Sequence, residues 1–175
     1  MKIGKAKTSI INQKEFRENS KRPYVRAGAW NWRDIEDELV KTITGDNSDQ
    51  QHGAVSLINN DIKDTYGVSP NLNVVVQIFE PGERDTPHRH TNMALFIILK
   101  GNGYSIVDDE KIEWGPGDVV YAPPWSKHEI CNSSETERAI FYTIQDVPDV
   151  AKTGVWFREH PIGAESTHNV LDPEP

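Results

Sequence analysis

The sequence predicts an all-β barrel or sandwich, on three observations. From Ala54 onward eight short apolar runs follow one another: AVSLI, LNVVVQIFE, ALFIILK, YSIVD, KIEW, DVVYAP, HEICN and AIFYTIQ. Each is broken by Gly, Pro, Asp or Asn, the residues that close turns. The chain of 175 residues is long enough for one such domain with a real core and too short for two.

Taken in order, residues 1–26 mix charges without periodicity and read as an arm, anchored through Tyr24 and Val25. The stretch from Ala29 to Val40 sets Ile35, Leu39 and Val40 at one-turn spacing with acidic residues early, which predicts a short helix. Turn formers from Thr44 to Asp49 end it. Asp108-Asp109-Glu110 and Gly115-Pro116-Gly117-Asp118 read as tight turns between strands, so an antiparallel meander is expected. Beyond Pro148 the pattern loosens into a tail with Val155-Trp156-Phe157 as its apolar anchor. The expected division is an arm and helix over 1–50, a barrel over 51–147, and a tail over 148–175 that packs on the barrel or on a partner subunit. No internal repeat occurs, which predicts one barrel.

The net charge of −8 and a pI near 5.2 argue against a nucleic-acid partner, because phosphate binding needs a clustered basic surface. The one basic cluster, Lys2, Lys5 and Lys7, sits at a terminus and reads as fraying. Small molecules are the expected partners. No apolar run reaches the roughly 18–20 residues of a membrane span, and nothing after MKIGKAKTSI resembles a secretory leader. A single cysteine, Cys131, fits a reducing compartment, so a cytoplasmic location is the expectation.

The chemistry is carried by histidines. His88 and His90 stand two apart, and on an extended strand such a pair points to one face. His128 lies two strands and a turn further on, where a small barrel brings it back opposite the pair. Three imidazoles then hold one metal and leave coordination positions open. Glu83, Asp85 and Glu129 are other acidic candidates, but Glu129 alternates away from His128 and the other two precede the pair in a turn, so all three read as surface residues.

Gly82, His88, His90 and Gly101, followed by Gly117, Pro123, His128 and Asn132, resemble the two cupin motifs G-x5-H-x-H-x3,4-E-x6-G and G-x5-P-x-G-x2-H-x3-N. The resemblance implies an all-β, single cupin barrel (double-stranded β-helix or jelly roll) with a short N-terminal helix and terminal arms. Two positions depart from it. Ala94 stands where the motif has a glutamate ligand, and Trp125 replaces the second glycine of the second motif. Loss of the carboxylate is compatible with an inactive barrel or with a more electrophilic centre suited to a chelating anion.

Those departures themselves resemble the gentisate, salicylate and hydroxynaphthoate 1,2-dioxygenases. Pro81-Gly82-Glu83, His88-Arg89-His90, Ala94-Leu95, Gly117-Asp118, Pro123, Trp125 and His128 carry the likeness, which extends upstream through Trp30 and Trp32 to cover residues 28–132. It implies Fe(II) held by His88, His90 and His128, with O2 as cosubstrate, while the imidazole set taken alone leaves Zn, Mn, Ni or Cu open. It further implies a pocket lined by Gln77 and Trp125. Gln77 has support of its own, since a polar side chain within Val74-Val75-Val76-Gln77-Ile78-Phe79 needs a partner if buried. The family's substrate-facing arginine falls at Phe96, its second motif-two histidine at Ile130, and an upstream arginine at His52. The carboxylate clamp is therefore missing. Together with one cupin unit where the family usually has two, this implies a substrate smaller or less acidic than gentisate, a hydroxylated aromatic or hydroxy-ketone that chelates the metal.

His52 faces the pocket by the same alignment and is a candidate acid or base. Tyr104 and Tyr121 lie on strands and are candidate proton donors if they point inward. Trp114, Trp156, Phe141 and Tyr142 read as core or interface residues, and His160 and His168 as solvated. Three functions remain open: an Fe(II) dioxygenase, a non-redox metal-dependent isomerase, lyase or cyclase, and a non-catalytic small-ligand-binding cupin. A homodimer or higher homo-oligomer is expected, because a single barrel leaves strand edges to cover.

Overall fold

In a computed structural model, which describes residues 9–20, 25–44, 52–62 and 67–159, each of the eight apolar runs forms a strand. They are β1 (Gly53–Leu57), β2 (Asn73–Phe79), β4 (Ala94–Lys100), β5 (Gly103–Val107), β6 (Glu110–Trp114), β7 (Val119–Ala122), β8 (His128–Asn132) and β9 (Ala139–Gln145). Two short strands escape the periodicity: β3 (Arg89–His90) and β10 (Arg158–Glu159). Among the described residues three helices accompany them: α1 (Gln13–Asn19), α2 (Trp32–Thr44) and α3 (Val147–Lys152). The expected arm thus contains a helix, whose first turn is closed by Asn12 accepting the Glu15 N–H at 2.9 Å. Lys2, Lys5, Lys7, Tyr24, the turn residues 45–49, His160 and His168 lie outside the described residues.

All the strand pairings are antiparallel, but the meander is not found. The order is β1-β2-β9-β4-β7 in one sheet, β6-β5-β8 in a second, and β10-β3 as a pair. Two sheets wrap one interior, so from β4 to β9 the chain passes back and forth between them. Turn signals mark where strands end, not which strand becomes a neighbour, and closure of the interior decides the pairing. The hairpin from β5 to β6 does turn through Asp108, at φ 54°.

Alternation along β2 and β9 divides the core in two. Phe79, Phe96, Ile98, Trp114, Val120, Ile130 and Phe141 fill the barrel. Val76, Ile78 and Ile140, on the opposite face, pack against Ile35 and Leu39 of α2, with Ile43 beside them. The stripe is therefore 35, 39, 43, and Val40, expected on it, is 41% exposed because it stands about 100° round the helix. Leu39 is the most buried residue of α2 at 1% exposure. Leu39→Ala is expected to cost about 2–5 kcal/mol in denaturant unfolding. Its metal content should stay unchanged, since the α2 layer lies outside the barrel. A stability within about 0.5 kcal/mol of the parent would show that α2 does not hold the sheet.

Among the described residues no helix is long and apolar enough to cross a membrane.

Candidate metal centre

His88 and His128 face each other as a hydrogen-bonded antiparallel pair. The His88 N–H donates to the His128 carbonyl at 3.0 Å, and the His128 N–H to that of His88 at 2.8 Å. His90, two residues on, points the same way. The ring centroids of His128 lie 4.6 Å from His88 and 4.7 Å from His90, and those of His88 and His90 are 5.5 Å apart. One nitrogen from each of the three lies within 4.8 Å of the others, and all three residues are buried.

The second ring nitrogen of each is already engaged. Nδ1 of His88 meets the Thr86 carbonyl at 2.8 Å, that of His90 the Asn92 carbonyl at 2.8 Å, and that of His128 the Ser126 carbonyl at 3.0 Å. A carbonyl only accepts, so each Nδ1 carries the proton and each Nε2 presents its lone pair. Burial keeps them neutral. It lowers the His88 pKa to about 2, helped by the charges of Arg158 and His128, and that of His90 to about 4, helped by His128. His128 is lowered too, by burial first. Neutral, oriented imidazoles sharing one point are the form a divalent transition metal requires. The donor set fits such an ion.

The turn before His128 explains the departure at Trp125. The Ser126 N–H reaches the Pro123 carbonyl at 3.2 Å, and Trp125 has φ 65°, the left-handed value that the third residue of a type II turn demands. Glycine adopts it freely and tryptophan at a cost. Here the Trp125 N–H bonds the His90 carbonyl at 2.7 Å, tying the two motif loops together. Its ring turns outward, 41% exposed, with the Arg89 guanidinium 4.6 Å from its centroid.

A cavity of about 550 Å³ opens over the histidines. His52, Gln77, Phe96 and Ile130, all named from sequence, line it, and Trp125 does not. Gln77 links two neighbours: the Thr143 hydroxyl donates to its Oε1 at 2.5 Å, and its Nε2 lies 2.6 Å from His52 Nε2. The amide nitrogen donates there, so His52 holds its proton on Nδ1, which is buried without a hydrogen-bond partner. Burial also lowers the His52 pKa. Tyr121 is 51% exposed, and Tyr104 sits outside the lining with Lys111 4.5 Å over its ring, so neither serves the cavity.

Two acidic residues expected at the surface are buried. The segment before His88 is not a loose turn but runs along β8, with the Asp85 N–H on the Ile130 carbonyl at 2.9 Å. Asp85 consequently faces the cavity, its Oδ2 3.5 Å from His88 Nδ1. Glu129 does point away from His128, but lies under Arg84, paired with it at 2.5 Å. Glu83, half-buried, bonds the Glu80 N–H at 2.6 Å. The cavity also takes Trp156, read from sequence as core or interface, and Arg158, which sequence reasoning passed over. The two-residue spacing of Trp156 and Arg158 was the available signal.

The fold is that of a cupin barrel, and residues 75–145 match the cupin domain family. Several curated proteins similar to it are 1,2-dioxygenases. The 5-nitrosalicylic acid 1,2-dioxygenase of Bradyrhizobium sp. is 27% identical over 168 residues, 94% of this chain and 81% of the relative. The 5-aminosalicylate 1,2-dioxygenase of Comamonas sp. is 30% identical over 105 residues, 60% of this chain but 27% of that enzyme. Among solved structures, the salicylate 1,2-dioxygenase of Pseudaminobacter salicylatoxidans superimposes with a TM-score of 0.69 at 17% identity, over 79% of this chain and 41% of that one. The chain thus spans most of one relative and less than half of the other two.

Proposed function

We propose that the protein is an Fe(II)-dependent, ring-cleaving dioxygenase acting on a small hydroxylated aromatic compound that chelates the metal. The observation that carries this reading is the convergence of three neutral imidazoles, each with Nδ1 held by a backbone carbonyl, in a chain with several 1,2-dioxygenases among its curated relatives. Bound iron would supply the activation of dioxygen and a chelation point for the substrate.

The chain's own residues do the rest. His88, His90 and His128 hold the ion as neutral ligands. Ala94, at the position of the cupin motif's glutamate, offers no fourth protein ligand, so a chelating substrate would complete the metal's coordination. Phe96 and Ile130, 6% and 3% exposed, form apolar walls that keep water from the reacting ring. Gln77 and Thr143 fix the His52 ring, which stacks 4.4 Å from Phe79 and stays neutral, so that it presents Nδ1–H as a proton donor.

The test is oxygen uptake by iron-loaded protein with a panel of ortho-hydroxylated aromatics, followed by product absorbance. Consumption of one O2 per ring opened is the expected result. Turnover that persists without oxygen and with zinc in place of iron would instead establish a Lewis-acid isomerase, lyase or cyclase.

A further inference from the structure

The positions at which the resembling enzymes carry substrate-facing arginines hold His52 and Phe96 here, yet the cavity is not without a cation. In the pairing of β10 with β3, Arg158 stands directly opposite His90. Directly paired residues in a sheet share a face, so the Arg158 side chain enters on the side of the three imidazoles. It lines the cavity. Its Nε is buried without a hydrogen-bond partner, and among the described residues it forms no ion pair. Asp85 faces the same cavity and is felt by Arg158, but from beyond ion-pair distance. The charge of Arg158 also reaches His52, His88, His90 and His128.

Burying part of a guanidinium without a partner is unfavourable, so its place in the wall calls for a counter-charge. The strap that carries it is fastened on every side. The Thr91 N–H donates to the Phe157 carbonyl at 3.0 Å, the Phe157 N–H to the Thr91 hydroxyl at 2.9 Å, and that hydroxyl to the Val155 carbonyl at 2.7 Å. Trp156 Nε1 donates to Asn92 Oδ1 at 2.6 Å, and Glu159 pairs with Arg89 outside the barrel. Residues 157 and 159 face out while Trp156 and Arg158 face in. A guanidinium held in advance loses little freedom when a ligand arrives, and its planar fork matches a carboxylate.

We propose that Arg158 is a specificity-determining residue, whose guanidinium receives the carboxylate of an aromatic ligand while Trp156 forms the adjoining wall and the ring faces the three histidines. This rests on the cavity being the substrate site. It replaces the expectation of a less acidic substrate, because the cation has moved from the barrel strands to the C-terminal strap.

The experiment is calorimetric titration of the iron-loaded protein, without oxygen, with salicylate and with salicylamide, its uncharged counterpart. For Arg158→Met the salicylate affinity is expected to fall at least about tenfold while salicylamide changes less than about twofold. Arg158→Lys should recover part of the loss, and iron content and melting temperature should match the parent. Equal losses for both ligands, no loss for salicylate, or no salicylate binding to the parent would each overturn the assignment. Arg158-dependent salicylate binding without ring opening on any panel member would sustain the anchor and sink the dioxygenase reading. Ring opening with salicylate and salicylamide bound alike would do the reverse.

Discussion

His128→Ala is expected to leave the protein without stoichiometric iron after desalting and to lower dioxygen-dependent turnover at least about a hundredfold. Loss of a partner one bond removed from a metal already costs about 10–100-fold in affinity, and loss of a ligand costs more. His128 is the most central of the three, since its ring is within 4.7 Å of both others while His88 and His90 are 5.5 Å apart. Without it the two remaining imidazoles lack the third donor, and Ala94 offers no carboxylate in compensation. The β8 pairing should survive, because the His88–His128 hydrogen bonds are made by backbone atoms. A far-ultraviolet spectrum like the parent's, with iron absent by elemental analysis, is therefore the expected combination. A variant that kept both iron and turnover would show that the three-histidine cluster is not the metal site.

What could be read in the sequence follows the range of the physics involved. Strands, the α2 stripe and the parity of His88 and His90 depend on neighbours within a turn or a strand, and the apolar pattern reports them directly. His128 came from motif spacing. Asp85 was misread because Gly82, Glu83 and Arg84 look like a turn, whereas pairing with β8 makes the segment extended and sends Asp85 inward. Arg158 was invisible for a different reason. Its strand is two residues long, has no apolar run to announce it, and gains its meaning only from pairing with a segment about 70 residues earlier. Trp125 shows the converse: the motif identified a special backbone position, and the structure confirms its positive φ, yet the ring turns to Arg89 and away from the cavity.

The metal-free protein is expected to lose stability steeply as pH falls below about 6.5. His88, His90 and His128 are buried and His52 half-buried, all with folded-state pKa values below the ordinary 6.5, down to about 4 for His90 and about 2 for His88. Between 6.5 and those values the unfolded chain binds protons that the folded chain refuses, so acid favours unfolding and stability rises with pH. Each histidine contributes at most about 1.4 kcal/mol per pH unit within its own window, and above about pH 7 the contribution is flat. Several together are comparable with the whole stability of a domain, about 5–15 kcal/mol. Urea unfolding of chelator-treated protein at pH 5, 6, 7 and 8 measures this, with the midpoint falling below pH 7 and the m-value constant. His90→Ala should remove one histidine's share of the slope, since only a group that is neutral when folded and charged when unfolded can generate it. A midpoint unchanged between pH 7 and 5 would mean that the imidazoles accept protons in the folded state, and hence that the Nε2 atoms do not form the dry, neutral cluster on which metal binding depends.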